Sequence, residues 1–283
     1  MEAINISKRK YKHLKYYILE ENVVSTEGTF YYNPYNKKEL LKLYDTLDKK
    51  YLEYKKDACL SIINAKNIIN VPELNLPKDL LYVDNEFKGI VIPKITGINS
   101  SIILSDNFVS LKSKLGILKQ IGSILQRIKE NGKDLNLSFS DVHPDNFMID
   151  RQNTVIGIDT DSMTIKNYQG RINYFLHKNP WISKIDKYHT GIYGLIDSDS
   201  NTDIFCFIMM ILNVLSGEKI YTLSLDDYKK YLDKLDKLGI NSDLLKACAS
   251  LYENGKNNIN PYLSLDNISF NEENQGYIKV LKH

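Results

Sequence analysis

Apolar and polar residues change rhythm several times along these 283 residues, and each change marks an element. Residues 14–45 alternate and favour β structure, with Tyr used heavily. This predicts two or three antiparallel strands, with Ser25-Thr26-Glu27-Gly28 as one turn and Asn33-Pro34-Tyr35-Asn36 as the next. The last of these strands, 39–44, sets Lys42 among Leu40, Leu41, Leu43 and Tyr44. Over 46–66 the rhythm becomes helical, with Leu47, Tyr51, Tyr54, Ala58 and Ile62 three to four residues apart. After Val71-Pro72, strands at 80–84 and 89–93 pair around Asn85-Glu86. A long amphipathic helix over 107–131 follows, carrying Leu111, Leu115, Leu118, Ile121, Ile124, Leu125 and Ile128 on one face. Gly132 stands at its end, where a residue tolerant of the left-handed conformation is favoured.

The stretch 137–163 reads as a β-hairpin, with strands 147–149 and 155–158 around a polar turn at 150–154. Its polar groups sit at the open ends: Asp141, His143, Asp145 and Asn146 before the first strand, Asp159 and Asp161 after the second. A hairpin brings such ends together, and gathered carboxylates repel one another unless a cation lies among them. Hard oxygen donors of this kind suit Mg²⁺. The alternative is a surface hairpin whose Asp and Asn residues only shape turns. Beyond Met163 the chain is irregular until Ser200-Asn201-Thr202-Asp203, which is placed to cap a strongly apolar helix ended by Gly217. Two short helices over 225–252, joined near Gly239, and an Asn-rich tail complete the chain.

Composition narrows the classes. Hydrophobic residues at 43% and charged residues at 25% are ordinary for a soluble globular protein, and a net charge of +2 argues against a dedicated polyanion binder. No nucleic-acid partner is expected. Cys59, Cys206 and Cys248 are scattered, without zinc or disulfide spacing. The N-terminus is basic but lacks an apolar signal core, and the apolar run 204–215 is too short to span a bilayer. The expectation is a cytoplasmic protein without a membrane partner.

The loop, strand, turn, strand, Asp order resembles the protein-kinase-like superfamily, in its atypical bacterial or phage-type Ser/Thr members. Asp141-Val142-His143-Pro144-Asp145-Asn146 matches the compact catalytic loop of that family, Asp-x-x-Pro-x-Asn, and Asp159 stands where its metal-binding Asp belongs. A second match is Asp203-Ile204-Phe205-Cys206-Phe207 leading to Leu215-Ser216-Gly217, which resembles the central helix of the larger kinase lobe, whose Asp braces the catalytic loop. The resemblance implies an α+β, bilobal fold: a small β-rich N-lobe over 1–97 and a mostly helical C-lobe over 98–283. It implies ATP and Mg²⁺ as cofactors. Asp141 would be the base, with His143 and Asn146 beside it, and Asn146, Asp159 and Asp161 would be the metal ligands. Gly28 would cover the nucleotide phosphates and Lys42 would contact them, with Lys37 and Lys38 as fallbacks. Glu53, the one glutamate on the 46–66 helix, would fix the lysine, and Pro93 and Ile95 would lie in the hinge against the adenine. The stretch from Met163 to Asn201 would hold the activation and substrate-binding segment, with Trp181 either lining an acceptor groove or simply covering the lobe.

The chain also departs from that family. One glycine, Gly28, stands where three are common, Phe139-Ser140 replace His-Arg, and Asp159-Thr160-Asp161 replaces Asp-Phe-Gly. Loss of that Arg implies no switching by activation-segment phosphorylation. The expected activity is transfer of a γ-phosphoryl group to a hydroxyl acceptor, protein Ser or Thr first. The alternatives are a small-molecule acceptor, as in aminoglycoside and choline kinases, or a pseudokinase that binds nucleotide without turnover.

Overall fold

The computed structural model describes residues 4–19, 27–45, 47–168, 199–216 and 225–237, with 239, 243, 246 and 247. The chain is α+β and divides into two compact units: Met1–Thr96 with Ile158–Asp161, and Gly97–Gly157 with Ser162–His283. The readings made for Ser25-Thr26, the segment 169–198 with Trp181, Gly217 and the tail lie outside the described residues.

The first unit is built on a five-stranded mixed sheet. Its strands are β1 (Ile4–Ile6), β2 (Thr29–Tyr32), β3 (Glu39–Leu43), β4 (Asp79–Val83) and β5 (Glu86–Pro93), in the order β1-β4-β5-β3-β2. β1 runs parallel to β4 and the other pairs are antiparallel. The strand expected from residue 14 is instead helical: α1 (Lys8–His13) runs into a 3₁₀ turn at Leu14–Tyr17. Ser7 caps α1 by accepting from the Lys10 N–H, and in the 3₁₀ turn Leu14 is buried while Tyr16 and Tyr17 are exposed. A strand would have buried every second residue. The β4–β5 turn falls at Asp84 and Asn85, both at positive φ (46° and 67°), a geometry that suits the twist of paired strands.

Strand parity decides where Lys42 goes. Leu41 and Leu43 point into one core with Ile6, Leu14, Leu81, Val83 and Val91. Lys42 therefore points to the opposite face, the one where Tyr44 packs with Cys59, Leu80, Phe87 and Ile90. That face is covered by α2 (Lys49–Ile69), capped by Asp48 through the Tyr51 N–H and closed by Asn70 at φ 43°.

The second unit carries a three-stranded sheet, β6 (Gly97–Asn99), β7 (Phe147–Asp150) and β8 (Val155–Gly157), in that order. Among the described residues it also has the helices α3 (Ser100–Ser105), α4 (Leu111–Asn131), α5 (Ser200–Ser216) and α6 (Leu225–Lys237). β6 and α3 had no signal in the sequence pattern. α4 packs its Leu115, Leu118, Ile121, Ile124, Leu125 and Ile128 side inward, against α5 and β8. Gln120 ties this helix to the hairpin, accepting from the Val155 N–H at 3.0 Å and donating to the Asn153 carbonyl at 3.2 Å. Gly132 is not left-handed, at φ −96°. A side chain is barred there because its Cβ would overlap Leu137 and the Ile128 carbonyl. Among the described residues no helix is long and apolar enough to cross a membrane.

Two glycines give opposite expectations. A Cβ at Gly89 on β5 would overlap the Lys42 carbonyl oxygen, whereas one at Gly116 in α4 would meet nothing within 4 Å. Gly89→Ala is expected to lower the stability by about 1–3 kcal/mol through forced strand displacement. Gly116→Ala should raise it by about 0.5–1 kcal/mol through reduced unfolded-state entropy. Denaturant melts of the two variants against wild type check both signs.

Candidate functional site

In the first unit, the face of the sheet under α2 holds a chain of buried charges of alternating sign. Lys42, 1% exposed, donates to Asp159 and to both oxygens of Asp161 (3.0 and 2.9 Å). Lys55, from the buried side of α2, lies 3.1 Å from Asp161 Oδ2 and 2.7 Å from Glu27 Oε2. Tyr44 donates to Asp161 Oδ2 at 2.6 Å, and Tyr51 to Glu27 Oε1 at 3.1 Å. The order is Glu27, Lys55, Asp161, Lys42, Asp159. Thr160, between the two aspartates, donates through Oγ1 to the Asn75 carbonyl at 2.8 Å, which fastens this short segment to the unit.

Burial opposes the charge on each group, and the partners decide the outcome. For Lys42, burial would lower the pKa, but Asp159 and Asp161 outweigh it and hold the ammonium above its ordinary range. Lys55 is likewise raised, by Asp161 and Glu27 against burial. Burial works against the Asp161 carboxylate too, and the two ammonium groups overcome it and pull it far below the carboxylate range. Glu27 is lowered in the same way by Lys55 and Lys42. Asp159 ends above its ordinary value, because burial and the charge of Asp161 outweigh the pull of Lys42. Cys59, beside the phenol of Tyr44, is pushed up to about 12 by burial and is an inert thiol.

In the second unit, the candidate segment is the loop before β7. The Asp141 N–H donates to the Phe139 carbonyl at 2.9 Å around Ser140, which sits at φ 72°. A bond of that span around a residue at positive φ is the strained form of the γ-turn. Asp203, in the first turn of α5, holds it. Its carboxylate accepts from the Phe139 N–H at 2.7 Å, the Ser140 N–H at 2.8 Å and the Ser138 hydroxyl at 2.9 Å. Burial pushes the Asp203 carboxyl up to about 7, against the pull of those three bonds. Asp203 is free for this because Asp199 caps the helix, accepting from the Thr202 N–H at 2.8 Å.

Past the turn, Asn146 donates through Nδ2 to the Asp141 carbonyl at 2.8 Å and to its Oδ2 at 3.1 Å. His143 lies between two carboxylates, Nε2 3.4 Å from Asp141 Oδ2 and Nδ1 3.5 Å from Asp145 Oδ2. Burial would lower its pKa, but the two aspartates raise it to about 9, which favours the charged ring. The carbonyls of Pro144 and Asp145 are held by Ser100 Oγ (2.6 Å) and Asn99 Nδ2 (2.8 Å), the work of the unforeseen β6–α3 junction.

Several expected roles change. Glu53 does not fix Lys42: it pairs with Lys56 at 2.8 Å and its side chain is 58% exposed. Two residues on a helix are about 200° apart, so when Lys55 faces inward Glu53 must face out. Asp161 is no free metal ligand, since both its oxygens are taken by ammonium groups and a phenol. Gly28 is required by strand packing, because a Cβ there would overlap the Leu43 carbonyl. Lys37 and Lys38 are exposed. The Pro93 carbonyl accepts from Asn75 Nδ2 at 3.0 Å, and Ile95 is half-buried just after β5. Glu27 and Lys55 were missed; the signal for Lys55 was its register with Ala58 and Ile62 on the apolar stripe of α2.

Among the described residues no group of three or more His, Cys, Asp or Glu side chains is arranged to hold a metal ion. Two hard oxygens nonetheless fit Mg²⁺ chemistry: no described donor reaches Asn146 Oδ1, whose amide donates only through Nδ2, nor the second carboxylate oxygen of Asp159. Each oxygen is thus suited to Mg²⁺ within its own unit, Asn146 in the second and Asp159 in the first. Comparison with known proteins gave no matching family model and no matching curated protein.

Two outcomes follow from the loop. Asp203→Asn presents an NH₂ group to one of the two backbone N–H donors it now accepts, so one donor loses its acceptor. This should cost about 1–3 kcal/mol in a chemical denaturation experiment. His143 should titrate by NMR near its raised value of about 9, and Asp141→Asn should move the midpoint down. The folded value lies above the ordinary 6.5. The imidazolium therefore stabilises the fold fully below pH 6.5, and that contribution is lost as pH rises through about 9.

Proposed function

We propose that this chain is an atypical member of the protein-kinase-like superfamily, bilobal in the manner of that family. It transfers the γ-phosphoryl group of ATP to a hydroxyl acceptor, Ser or Thr of a protein. The observation that carries this reading is the Lys42–Asp159 pair: a fully buried ammonium on β3 bound to the aspartate that follows β8, 117 positions away. A lone buried cation is strongly unfavourable, and the resemblance gives this pair its use, the lysine toward nucleotide phosphates and the aspartate toward the metal. The Asp203-braced turn ahead of Asp141, and the Asn146 amide bonded to Asp141, give independent support.

Under this reading the acceptor hydroxyl oxygen bonds to the γ-phosphorus as the bond from that phosphorus to the β,γ-bridging oxygen breaks. ADP departs with that oxygen, and the hydroxyl proton goes to the Asp141 carboxylate. Asn146 and Asp159 would hold Mg²⁺, which when bound neutralises phosphate charge. Lys42 binds and orients the phosphates, and the His143 imidazolium adds a cationic donor beside the base. The buried thiol of Cys59 suits a reducing compartment, in keeping with a cytoplasmic enzyme.

The test is thermal unfolding with and without Mg²⁺–ATP, followed by labelled phosphate transfer. Ligand at about 100 times its dissociation constant should add about 2.7 kcal/mol and raise Tm by several degrees. Asp159→Ala should abolish the magnesium-dependent part of the shift, and Asp141→Asn should lower transfer by about 10²-fold or more while nucleotide binding persists. ATP consumed only with small hydroxyl compounds would change the acceptor class. Binding without consumption would make the chain a nucleotide-binding module. The absence of any shift would overturn the reading.

A further inference from the structure

Lys42 is held from a direction the sequence did not suggest. α2 presents a cation, Lys55, where a carboxylate would be needed to fix a lysine, and Glu53 points to solvent. The carboxylate that does contact Lys42 through both oxygens comes from Asp161, two residues after Asp159. Asp161 is itself fixed from two further sides, by Lys55 at 3.1 Å and by the Tyr44 hydroxyl at 2.6 Å. We propose that Asp161 is the positioning residue for Lys42, and that Lys55 acts through Asp161 rather than on the ligand. The inference rests on the reading of Lys42 as the phosphate-binding lysine.

The geometry gives each member a distinct task. Lys42 touches two carboxylates, and only one of them, Asp159, keeps an oxygen that no described donor reaches. Asp161 shares the ammonium with Asp159; without it the ammonium would be drawn wholly to Asp159, away from an incoming phosphate and onto the carboxylate suited to Mg²⁺. Lys55 neutralises the second carboxylate that this arrangement brings in. Glu27 in turn neutralises Lys55 and fastens the residue before Gly28 to α2. An alternating chain of this kind keeps every buried charge next to its opposite, so the lysine is fixed without a glutamate on the helix.

The experiment compares ATP with adenosine, both in EDTA, so that the readout is binding and not turnover. Adenosine lacks the phosphates and serves as the internal control. Asp161→Asn should weaken ATP binding about tenfold or more and leave adenosine binding within twofold. Lys55→Met/Asp161→Asn should bind ATP no worse than Asp161→Asn alone, because Lys55 works only through Asp161. Tyr44→Phe removes one bond to Asp161 and should move the ATP-to-adenosine ratio the same way by less, which keeps the test open if Asp161→Asn folds poorly. Ile62→Val, in the α2 core, should lower Tm without changing the ratio, as a merely structural effect would. Equal loss of ATP and adenosine in Asp161→Asn, or no loss of either, overturns the inference while the kinase reading stands. Wild type binding neither compound overturns the reading of the site, and the inference with it.

Discussion

Four charges buried beside one helix, with the partly exposed Asp159 at the end of the row, constrain the first unit more tightly than its apolar core does. Apolar side chains tolerate exchange when volume is conserved, but a buried ion with its partner removed typically costs 3–5 kcal/mol. Glu27, Lys55, Asp161, Lys42 and Asp159 come from the start of β2, from α2, from β3 and from the segment after β8. Displacing Lys42, Lys55 or Asp161 breaks two of these ion pairs at once. A buried salt bridge is weak support for stability as such, since a hydrophobic replacement often does as well. What an alternating chain provides is a fixed place for each charge, and the charge at its centre is the Asp161 carboxylate, held by an ammonium on either side.

The second unit applies the same logic to backbone strain. Ser140 at φ 72° is a conformation of order 1–3 kcal/mol above the common ones, and such residues persist only where their surroundings over-determine them. Asp203 does that by accepting from both amides of the turn and from Ser138. The strained residue directly precedes Asp141, whose carbonyl and carboxylate are then held by Asn146. Asp159 in the first unit is likewise left-handed, at φ 59°. Aspartate tolerates that region better than most residues, which lets Thr160 bond the Asn75 carbonyl and Asp161 reach both lysines.

How much of this was legible depended on whether sequence distance or sequence rhythm carried the information. The hairpin strands and the helices α2, α4 and α5 have strong periods, and their places were read from the pattern to within a few residues. The stretch 14–17 has alternation without alternating burial, and there the strand expected from period two gave way to a 3₁₀ turn. Lys42 could be nominated because it interrupts the apolar run Leu-Leu-Lys-Leu-Tyr; the alternative was an exposed lysine on a half-buried strand, and the structure buries it. Its partner could not, since the pairing spans 119 positions and depends on which α2 residue faces inward. Glu53 was chosen for its charge alone; helix phase put Lys55 inside instead, and the opposite charge was then drawn from Asp161. Asp203 was readable as a cap or a brace, and the presence of Asp199 one turn earlier is what separates the two roles.

That substitution of one carboxylate source for another bears on how the arrangement could be controlled. When a helix supplies the carboxylate that fixes a lysine, moving the helix releases the lysine, and a helix can be moved by a partner or a modification. Here the carboxylate follows Asp159 by two residues, and Thr160 between them is bonded to the Asn75 carbonyl. The helix contributes only the cation that neutralises Asp161, and that cation is tied to Glu27 as well. A shift of α2 would then break two buried ion pairs at once while leaving Asp161 bonded to Lys42. The lysine is therefore fixed by the segment that carries the proposed metal ligand and not by a movable helix.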